Sequence, residues 1–190
     1  MTKKILILSG SPKKSGNTAA LVDWFTEGAV SEGALVEVIQ TAFLEFKFPG
    51  CTSCRFCQKQ DAYECVIEDD ANLVLRKMAS ADVIVMATPL YFFSASAQLK
   101  VIIDRMFSLY KWDNTTGTMK TALKGKTLVL LASAYEDVGM EALEKPFVLT
   151  AAYTGMKFRS LLIPDAGVSG DIHKLHGVRE KALEFGKTLA

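Results

Sequence analysis

Five short apolar segments alternate with five longer segments of helical periodicity, and this alternation constrains the fold of the chain more than any other feature. The apolar segments predict strands at residues 4–9, 35–39, 83–87, 127–132 and 158–163. The amphipathic segments predict helices at residues 17–32, 71–80, 95–110, 140–154 and 174–188. Apolar strands joined through helices are typical of a parallel sheet covered on both faces. The sequence therefore predicts a three-layer α/β sandwich with right-handed crossovers around a five-stranded parallel sheet.

The size and composition of the chain favour a single domain. Its 190 residues are 49% hydrophobic and 23% charged, which suits one large core rather than two. Residues 42–68 show little helical or strand periodicity and contain every cysteine. We expect one domain over residues 1–190 with a cysteine-rich loop inserted at about 42–68, and long loops of this kind usually serve a function.

Charge and hydropathy disfavour several classes of partner. The net charge of +1 gives no electrostatic bias toward nucleic acid or an anionic membrane. The apolar run at residues 5–8 is too short for the core of a signal peptide. The longest apolar stretch, residues 83–93, is too short to span a bilayer. We therefore expect a cytoplasmic protein that binds neither nucleic acid nor membranes.

The loop after the first predicted strand has the composition of an anion site. In parallel sheets of this kind, ligands bind at the carboxyl ends of the strands. Residues 9–18 are rich in hydroxyls and glycine and lead into a helix N-terminus, where unpaired N–H groups favour a phosphate. Five residues separate Gly10 from Gly16 and Asn17-Thr18 follows, so the loop matches neither a Walker A motif nor a GxGxxG motif. A single terminal phosphate is the expected ligand.

The four cysteines form one cluster in the sequence. Cys51, Cys54, Cys57 and Cys65 fall within fifteen residues, in a spacing that lets a short loop wrap a compact metal centre. Three cysteines in immediate succession are more typical of an iron–sulfur cluster than of zinc, which generally pairs two CxxC motifs over a longer spacer. A structural zinc, or free thiols with a redox-active CxxC pair, are the alternatives.

Several of these motifs together resemble one known family. Residues 10–18, Gly-Ser-Pro-Lys-Lys-Ser-Gly-Asn-Thr, resemble the FMN-phosphate loop of the flavodoxin-like NADPH-dependent FMN reductases. Residues 87–92 match the second flavin loop of that family, and residues 98–105 match the helix that follows it. Within the family, the cysteine spacing followed by Ile67-Glu68-Asp69-Asp70 is similar to the iron–sulfur flavoproteins, which carry FMN and a [4Fe–4S] cluster. The resemblance covers roughly residues 4–165.

The resemblance implies a flavodoxin-like fold and an FMN-dependent electron-transfer oxidoreductase. FMN and a [4Fe–4S] cluster would exchange electrons between a donor and an acceptor, each a small molecule or a protein, with NAD(P)H as a possible donor. No residue is needed as a catalytic acid or base. Homodimers or homotetramers are the assemblies that the family implies. The alternatives are a cluster-free NAD(P)H:FMN or quinone reductase, and a flavodoxin-like carrier that turns over no small substrate.

The same resemblance assigns the cofactor-binding residues. The phosphate loop would contribute Ser9, Ser11, Pro12, Lys13, Ser15, Gly16, Asn17 and Thr18. The loop after the third strand would flank the flavin ring with Pro89, Leu90, Tyr91 and Phe92. Ser133 and Tyr135 would form a third wall, where many relatives carry a glycine-rich turn instead. The cluster ligands would be Cys51, Cys54, Cys57 and Cys65.

Charged residues near these motifs are expected to be structural or exposed. Asp69 and Asp70 precede a predicted helix and most simply act as its N-cap and first-turn charges. Asp104 and Arg105 are expected as a pair on a helix surface or at an interface.

Overall fold

The computed structural model describes residues 2–190. Its strands, in chain order, are β1 (Lys4–Ser9), β2 (Leu35–Gln40), β3 (Val83–Pro89), β4 (Tyr110–Asp113), β5 (Thr118–Thr121), β6 (Thr127–Ser133) and β7 (Lys157–Ile163). Its α-helices are α1 (Asn17–Ser31), α2 (Asp70–Ser80), α3 (Ala97–Arg105), α4 (Met140–Thr154) and α5 (Val178–Lys187). Five strands form a parallel sheet in the order β2-β1-β3-β6-β7. The predicted flavodoxin-like sandwich is confirmed.

Both faces of the sheet are covered, as the continuous apolar strands predict. On β1, Leu6 and Leu8 belong to a core cluster with α2, α3 and α4. Ile5 and Ile7 point to the opposite side and pack with α1 and α5. Each of these four side chains is at most 3% exposed, and burying one such side chain contributes about 1.5–3 kcal/mol. The central strands therefore hold the carboxyl edge of the sheet rigidly in place.

A 3₁₀ turn replaces the end of the predicted third helix, and a hairpin follows it. Instead of spanning residues 95–110, α3 ends at Arg105, and a 3₁₀ turn over Met106–Leu109 leads into β4. Strands β4 and β5 pair antiparallel across a turn that contains Gly117, whose φ of 65° suits glycine. The apolar residues of the 3₁₀ turn continue the spacing of the helix closely enough to hide its end, whereas the aromatic and threonine residues beyond it favour strands.

The last helix also begins later than predicted. It starts at Val178 rather than at residue 174, because a separate 3₁₀ turn occupies Asp171–Lys174. Its packing against α1 is very close: a Cβ on Gly28 would lie 2.0 Å from the carbonyl oxygen of Leu183. The other predicted strands and helices agree with the structure within two residues.

Candidate functional site

Four loops meet in one cavity at the carboxyl edge of the sheet. The loops follow β1, β3, β6 and β7. The lining residues are Ser11, Lys13, Gly16, Asn17, Thr18, Pro89, Leu90, Tyr91, Ser133, Ala134, Tyr135, Ala166, Gly167 and Ser169. The cavity volume of about 170 Å³ is below the roughly 300–1,000 Å³ of sites that enclose a drug-sized ligand. A ligand the size of FMN would therefore be only partly enclosed by this chain.

Close backbone packing fixes the loop after β1. Gly10 N–H donates to the carbonyl of Ala87 at 2.7 Å, and Ser96 Oγ donates to the carbonyl of Gly10 at 2.7 Å. A Cβ on Gly10 would lie 2.6 Å from that same Ser96 Oγ, so only glycine fits without a shift. The loop then enters α1 at Asn17, whose first-turn N–H groups lack helical partners. This geometry suits an anion at the helix N-terminus.

A buried hydroxyl at the start of this loop has no partner. Ser9 is completely buried, and its Oγ makes no hydrogen bond. Buried polar groups are normally satisfied, so an orphaned hydroxyl beside a ligand cavity fits a site that is completed by a polar ligand or a water. Thr18, in contrast, bonds Ser133 Oγ at 3.0 Å and ties the phosphate loop to the end of β6.

The side chain of Asn17 holds the fourth wall of the cavity. Its amide nitrogen donates to the carbonyls of Ala166 (2.6 Å) and Val168 (2.9 Å). Its Oδ1 accepts from the N–H groups of Gly170 (2.9 Å) and Ile172 (3.3 Å). All four hydrogen bonds of the amide are thereby used. The backbone N–H of Asn17 is what remains for an anion, while its side chain positions the segment after β7.

The loop after β3 contains a strained turn. Reciprocal hydrogen bonds between Tyr91 and Ser94, of 3.0 and 3.1 Å, close the turn around Phe92 and Phe93. These two phenylalanines have φ angles of 45° and 62°, a region that bulky residues rarely adopt. Phe92 is 98% exposed. Phe93, in contrast, packs closely on Gly139: a Cβ on Gly139 would lie 2.2 Å from the ring of Phe93. Strain of this kind concentrates at functional sites.

Ten of the fourteen residues predicted to bind the cofactor line this cavity. The other four, Ser9, Pro12, Ser15 and Phe92, belong to the same loops but do not line it. Sequence reasoning missed the three lining residues after β7, Ala166, Gly167 and Ser169. Only glycine fits at position 167 without a shift of its neighbours, because a Cβ there would lie 2.0 Å from the ring of Tyr135. The carboxyl-edge rule, applied to the last strand as well, would have indicated this fourth loop.

The four cysteines line a second, smaller cavity next to the end of α3. Cys57 is buried, Cys65 is half-buried, and Cys51 and Cys54 are exposed. Within residues 2–190, no three His, Cys, Asp or Glu side chains are arranged to hold a single metal ion. Burial raises the pKa of the Cys57 thiol, although Gln58 and Lys111 act in the opposite direction.

The backbone of the cysteine loop has a geometry that fits an iron–sulfur cluster. Ser53 and Arg55 have φ angles of 58° and 59°, so two left-handed residues alternate with the first three cysteines. Concave nests of N–H groups, which surround anions and many Fe–S sites, are formed by successive residues in αR–αL or turn conformations. Four thiolates on one cavity, in such a loop, are the donor set of a [4Fe–4S] cluster.

Two side chains join the cysteine loop to the hairpin: Gln58 from the loop and Lys111 from β4. Gln58 Nε2 donates to the carbonyls of Phe107 (3.2 Å) and Tyr110 (2.9 Å), and its Oε1 accepts from Trp112 N–H at 3.1 Å. Lys111 Nζ donates to the carbonyl of Cys57. The hairpin therefore anchors the part of the loop that contains Cys57.

Arg105 and Asp69 form a buried ion pair, so the expectation that Arg105 lies at a surface is wrong. Arg105 is 1% exposed, and its Nη1 lies 2.6 Å from both carboxylate oxygens of Asp69. Asp69 directly precedes α2 as predicted, but its carboxylate makes no capping hydrogen bond. Burial would raise the pKa of Asp69, but hydrogen bonds from Arg105 and Lys47 N–H hold this pKa below its ordinary value. Asp104 pairs with Lys100 at the surface.

Comparison with known proteins identifies a family and individual proteins that are similar to this chain. Residues 3–160 match the family model of the NADPH-dependent FMN reductases. An iron–sulfur flavoprotein of Methanocaldococcus jannaschii is 38% identical over 102 residues, which are 54% of this chain and 51% of that protein. A putative NAD(P)H-dependent FMN-containing oxidoreductase of Bacillus subtilis is 22% identical over 91% of both chains.

Structural comparison supports the fold. The structure of an NAD(P)H:quinone oxidoreductase from Methanothermobacter marburgensis superposes with a TM-score of 0.74 at 17% identity, covering 100% of this chain and 98% of that one. The alignments to the first iron–sulfur flavoproteins span about half the length of those relatives. No helix within residues 2–190 combines the length and the apolar character needed to cross a membrane.

Proposed function

The chain belongs to the NADPH-dependent FMN reductase family, whose members are flavin-dependent oxidoreductases, and from this premise we propose that it binds FMN at the carboxyl edge of its sheet. In this proposal, a nicotinamide nucleotide supplies the electrons and a small molecule or a protein accepts them. The convergence of residues from separate loops on one cavity at the N-terminus of α1 carries the proposal. When bound, FMN supplies a ring that accepts a hydride or single electrons.

The residues of the chain hold and orient the cofactor rather than react. The N–H groups at the start of α1, with the hydroxyls of Ser11 and Thr18, bind the phosphate. Pro89 and Tyr91 would flank the ring, and Tyr135, whose own ring lies against Gly167, would help to enclose it. Asn17 keeps the fourth wall in place through its amide. No residue is assigned as an acid or base, since bound FMN would supply the electron chemistry.

A charge placed in the phosphate cradle tests the FMN site. We expect Ser11→Asp to weaken FMN binding at least tenfold, because a carboxylate would repel the phosphate at short range. FMN titration followed by quenching of flavin fluorescence measures the change. Ser80→Asp is the control, since Ser80 is exposed at the end of α2, just before β3 begins at the opposite edge of the sheet. Equal affinities of the two variants would contradict the proposed site.

We further propose that Cys51, Cys54, Cys57 and Cys65 bind a [4Fe–4S] cluster as an insertion into the single flavodoxin-like domain. The shared cavity, the alternating left-handed residues and the iron–sulfur flavoprotein relatives support this proposal. When bound, a cluster supplies one-electron transfer to and from a two-electron flavin. The hairpin and Gln58 hold Cys57 in place for this role.

Anaerobic purification tests the cluster directly. We expect about four irons and four acid-labile sulfides per chain, together with flavin absorption after FMN is added. Flavin without iron would contradict the cluster and favour a cluster-free reductase. Rapid NADPH oxidation with a flavin or quinone acceptor would separate a reductase from a carrier.

A further inference from the structure

The cysteine cavity has a buried cation in its wall. Arg105 lines the cavity together with all four cysteines, and its side chain is completely buried. A buried charge is costly unless it is paired, and Asp69 supplies the pairing through both of its carboxylate oxygens. Asp69 is itself fixed by the backbone N–H of Lys47 at 3.0 Å. The guanidinium is therefore held in one place beside the cysteines.

One nitrogen of this guanidinium has no hydrogen-bond partner. Its Nη1 bonds Asp69 and its Nη2 bonds the carbonyl of Ile67 at 3.0 Å. Its Nε makes no hydrogen bond, and within residues 2–190 it is the only buried side-chain nitrogen without a partner. The neighbouring hydroxyl in the wall, Ser108 Oγ, donates to the carbonyl of Arg105 at 3.0 Å and accepts no hydrogen bond from the Nε–H. An unsatisfied buried donor of a charged group is rare, and it indicates a missing acceptor.

The acceptor that the cavity offers is sulfur. The sulfur-bearing side chains of all four cysteines line the same cavity as Arg105, and the Nε–H has no partner among them in the structure. Cys65 N–H bonds Asn72 Oδ1 at 3.0 Å, which fixes the backbone of this cysteine from the other side.

We propose that Arg105 is a positioning residue of the cysteine site, whose Nε–H donates to a sulfur of the bound cluster or of Cys65. The inference rests on the proposed cluster. The potentials of iron–sulfur clusters depend on net charge and on hydrogen bonds to the sulfurs. A fixed cation with a free donor stabilises the reduced, more negative state, so Arg105 raises the reduction potential of the cluster. Asp69 orients Arg105 for this role.

The test compares the cluster potential of the loaded protein with that of two variants. Arg105→Lys keeps the charge and can still pair with Asp69, but it removes the Nε–H. We expect full iron content and a tenfold lower equilibrium constant for one-electron reduction, which is about 59 mV. The double variant Arg105→Met with Asp69→Asn removes both charges, avoids an unpaired buried carboxylate, and should shift the potential further in the same direction. Anaerobic redox titration followed by electron paramagnetic resonance measures both shifts.

Lys100→Met is the matched control. It removes an exposed cation from the same helix, and its partner Asp104 is also exposed, so we expect the wild-type potential. Unchanged potentials in both Arg105 variants at full iron content would overturn the role of Arg105 and leave the cluster intact. A wild-type protein that takes up no iron under anaerobic reconstitution would overturn the proposed cluster and this inference together. Thermal unfolding of each variant separates a change of potential from a loss of fold.

Discussion

Single residues with unusual environments lie around both cavities. Two examples are the left-handed backbone conformation of Phe92 and the buried ion pair of Asp69 and Arg105. Each of them contradicts a local preference, since exposed aromatics avoid positive φ and charged side chains avoid the interior. Such local conflicts are expected at functional sites, where the rest of the fold compensates for them.

Replacing Phe92 with asparagine should stabilise the protein. Phe92 is 98% exposed, so little packing is lost, while asparagine tolerates its φ of 45° far better. We expect the free energy of unfolding to rise by about 1 kcal/mol in urea titrations. Phe48→Asn is the control, because Phe48 is 47% exposed and is not among the non-glycine residues with positive φ. A Phe92 variant that is no more stable than the wild type would show that the turn is not strained.

Replacing Asp69 with asparagine should destabilise the protein and alter its response to acid. The variant leaves the charge of buried Arg105 uncompensated, at a cost of about 3 kcal/mol. The pKa of Asp69 is lowered in the folded state, so its contribution is complete above about pH 4, the ordinary range of a carboxyl group. This contribution is lost as the pH falls through the lower folded-state value.

Urea unfolding at pH 7 and at acidic pH measures both effects of the Asp69 change. The wild type should lose more stability on acidification than Asp69→Asn does, since the variant has no carboxylate to protonate there. Asp104→Asn is the control, because the exposed pair with Lys100 contributes less than about 1 kcal/mol. Parallel pH profiles for wild type and Asp69→Asn would contradict the buried pair.

At the scale of whole elements, the hairpin β4–β5 holds the cysteine loop in position. We expect Gln58→Ala to release this loop, because it removes three hydrogen bonds to the hairpin region, each contributing about 1 kcal/mol. Amide hydrogen exchange should accelerate in residues 51–65 and stay slow in β1 and β3. Gln60→Ala removes one hydrogen bond, to the carbonyl of Glu64, and serves as the control. Equal exchange in both variants would contradict the anchoring role.

The elements that the sequence predicts well are those whose burial is uniform. Strands such as β1 and β3 are buried on both faces, so a continuous apolar run identifies them without any tertiary knowledge. The end of α3 was missed because the apolar residues of the 3₁₀ turn continue its spacing, and the hairpin was missed because its strands are short and partly exposed. The segment after β7 was missed because it contributes only small residues to the cavity, Ala166, Gly167 and Ser169.

The ion pair between Asp69 and Arg105 could not be predicted from the sequence, for a different reason. Asp69 and Arg105 are 36 residues apart, and neither the spacing nor the periodicity of the chain brings them together. Local rules accordingly placed one at a helix start and the other on a helix surface. The cysteines and the phosphate loop, in contrast, are contiguous motifs whose spacing itself encodes the geometry.

For the molecule as a whole, folding and cofactor binding should be linked. The cavity at the carboxyl edge joins loops from four of the five sheet strands, so a ligand bound there bridges segments that are far apart in sequence. The cavity encloses only part of a ligand the size of FMN, and the homodimer or homotetramer expected from the resemblance would complete the enclosure. That assembly remains a prediction. Light scattering tests it by measuring the mass of the protein in solution.

FMN and riboflavin should differ sharply in how they stabilise the protein. A ligand that binds only the folded state adds about 2.7 kcal/mol of stability at a concentration one hundred times its dissociation constant. The proposed site holds FMN mainly through its phosphate, at the N–H groups of α1 and the hydroxyl-rich loop before it. Riboflavin has the same ring and no phosphate, so at equal concentration it should raise the melting temperature much less. Thermal unfolding with each ligand measures the difference, and equal stabilisation by both would show that the loop after β1 does not bind phosphate.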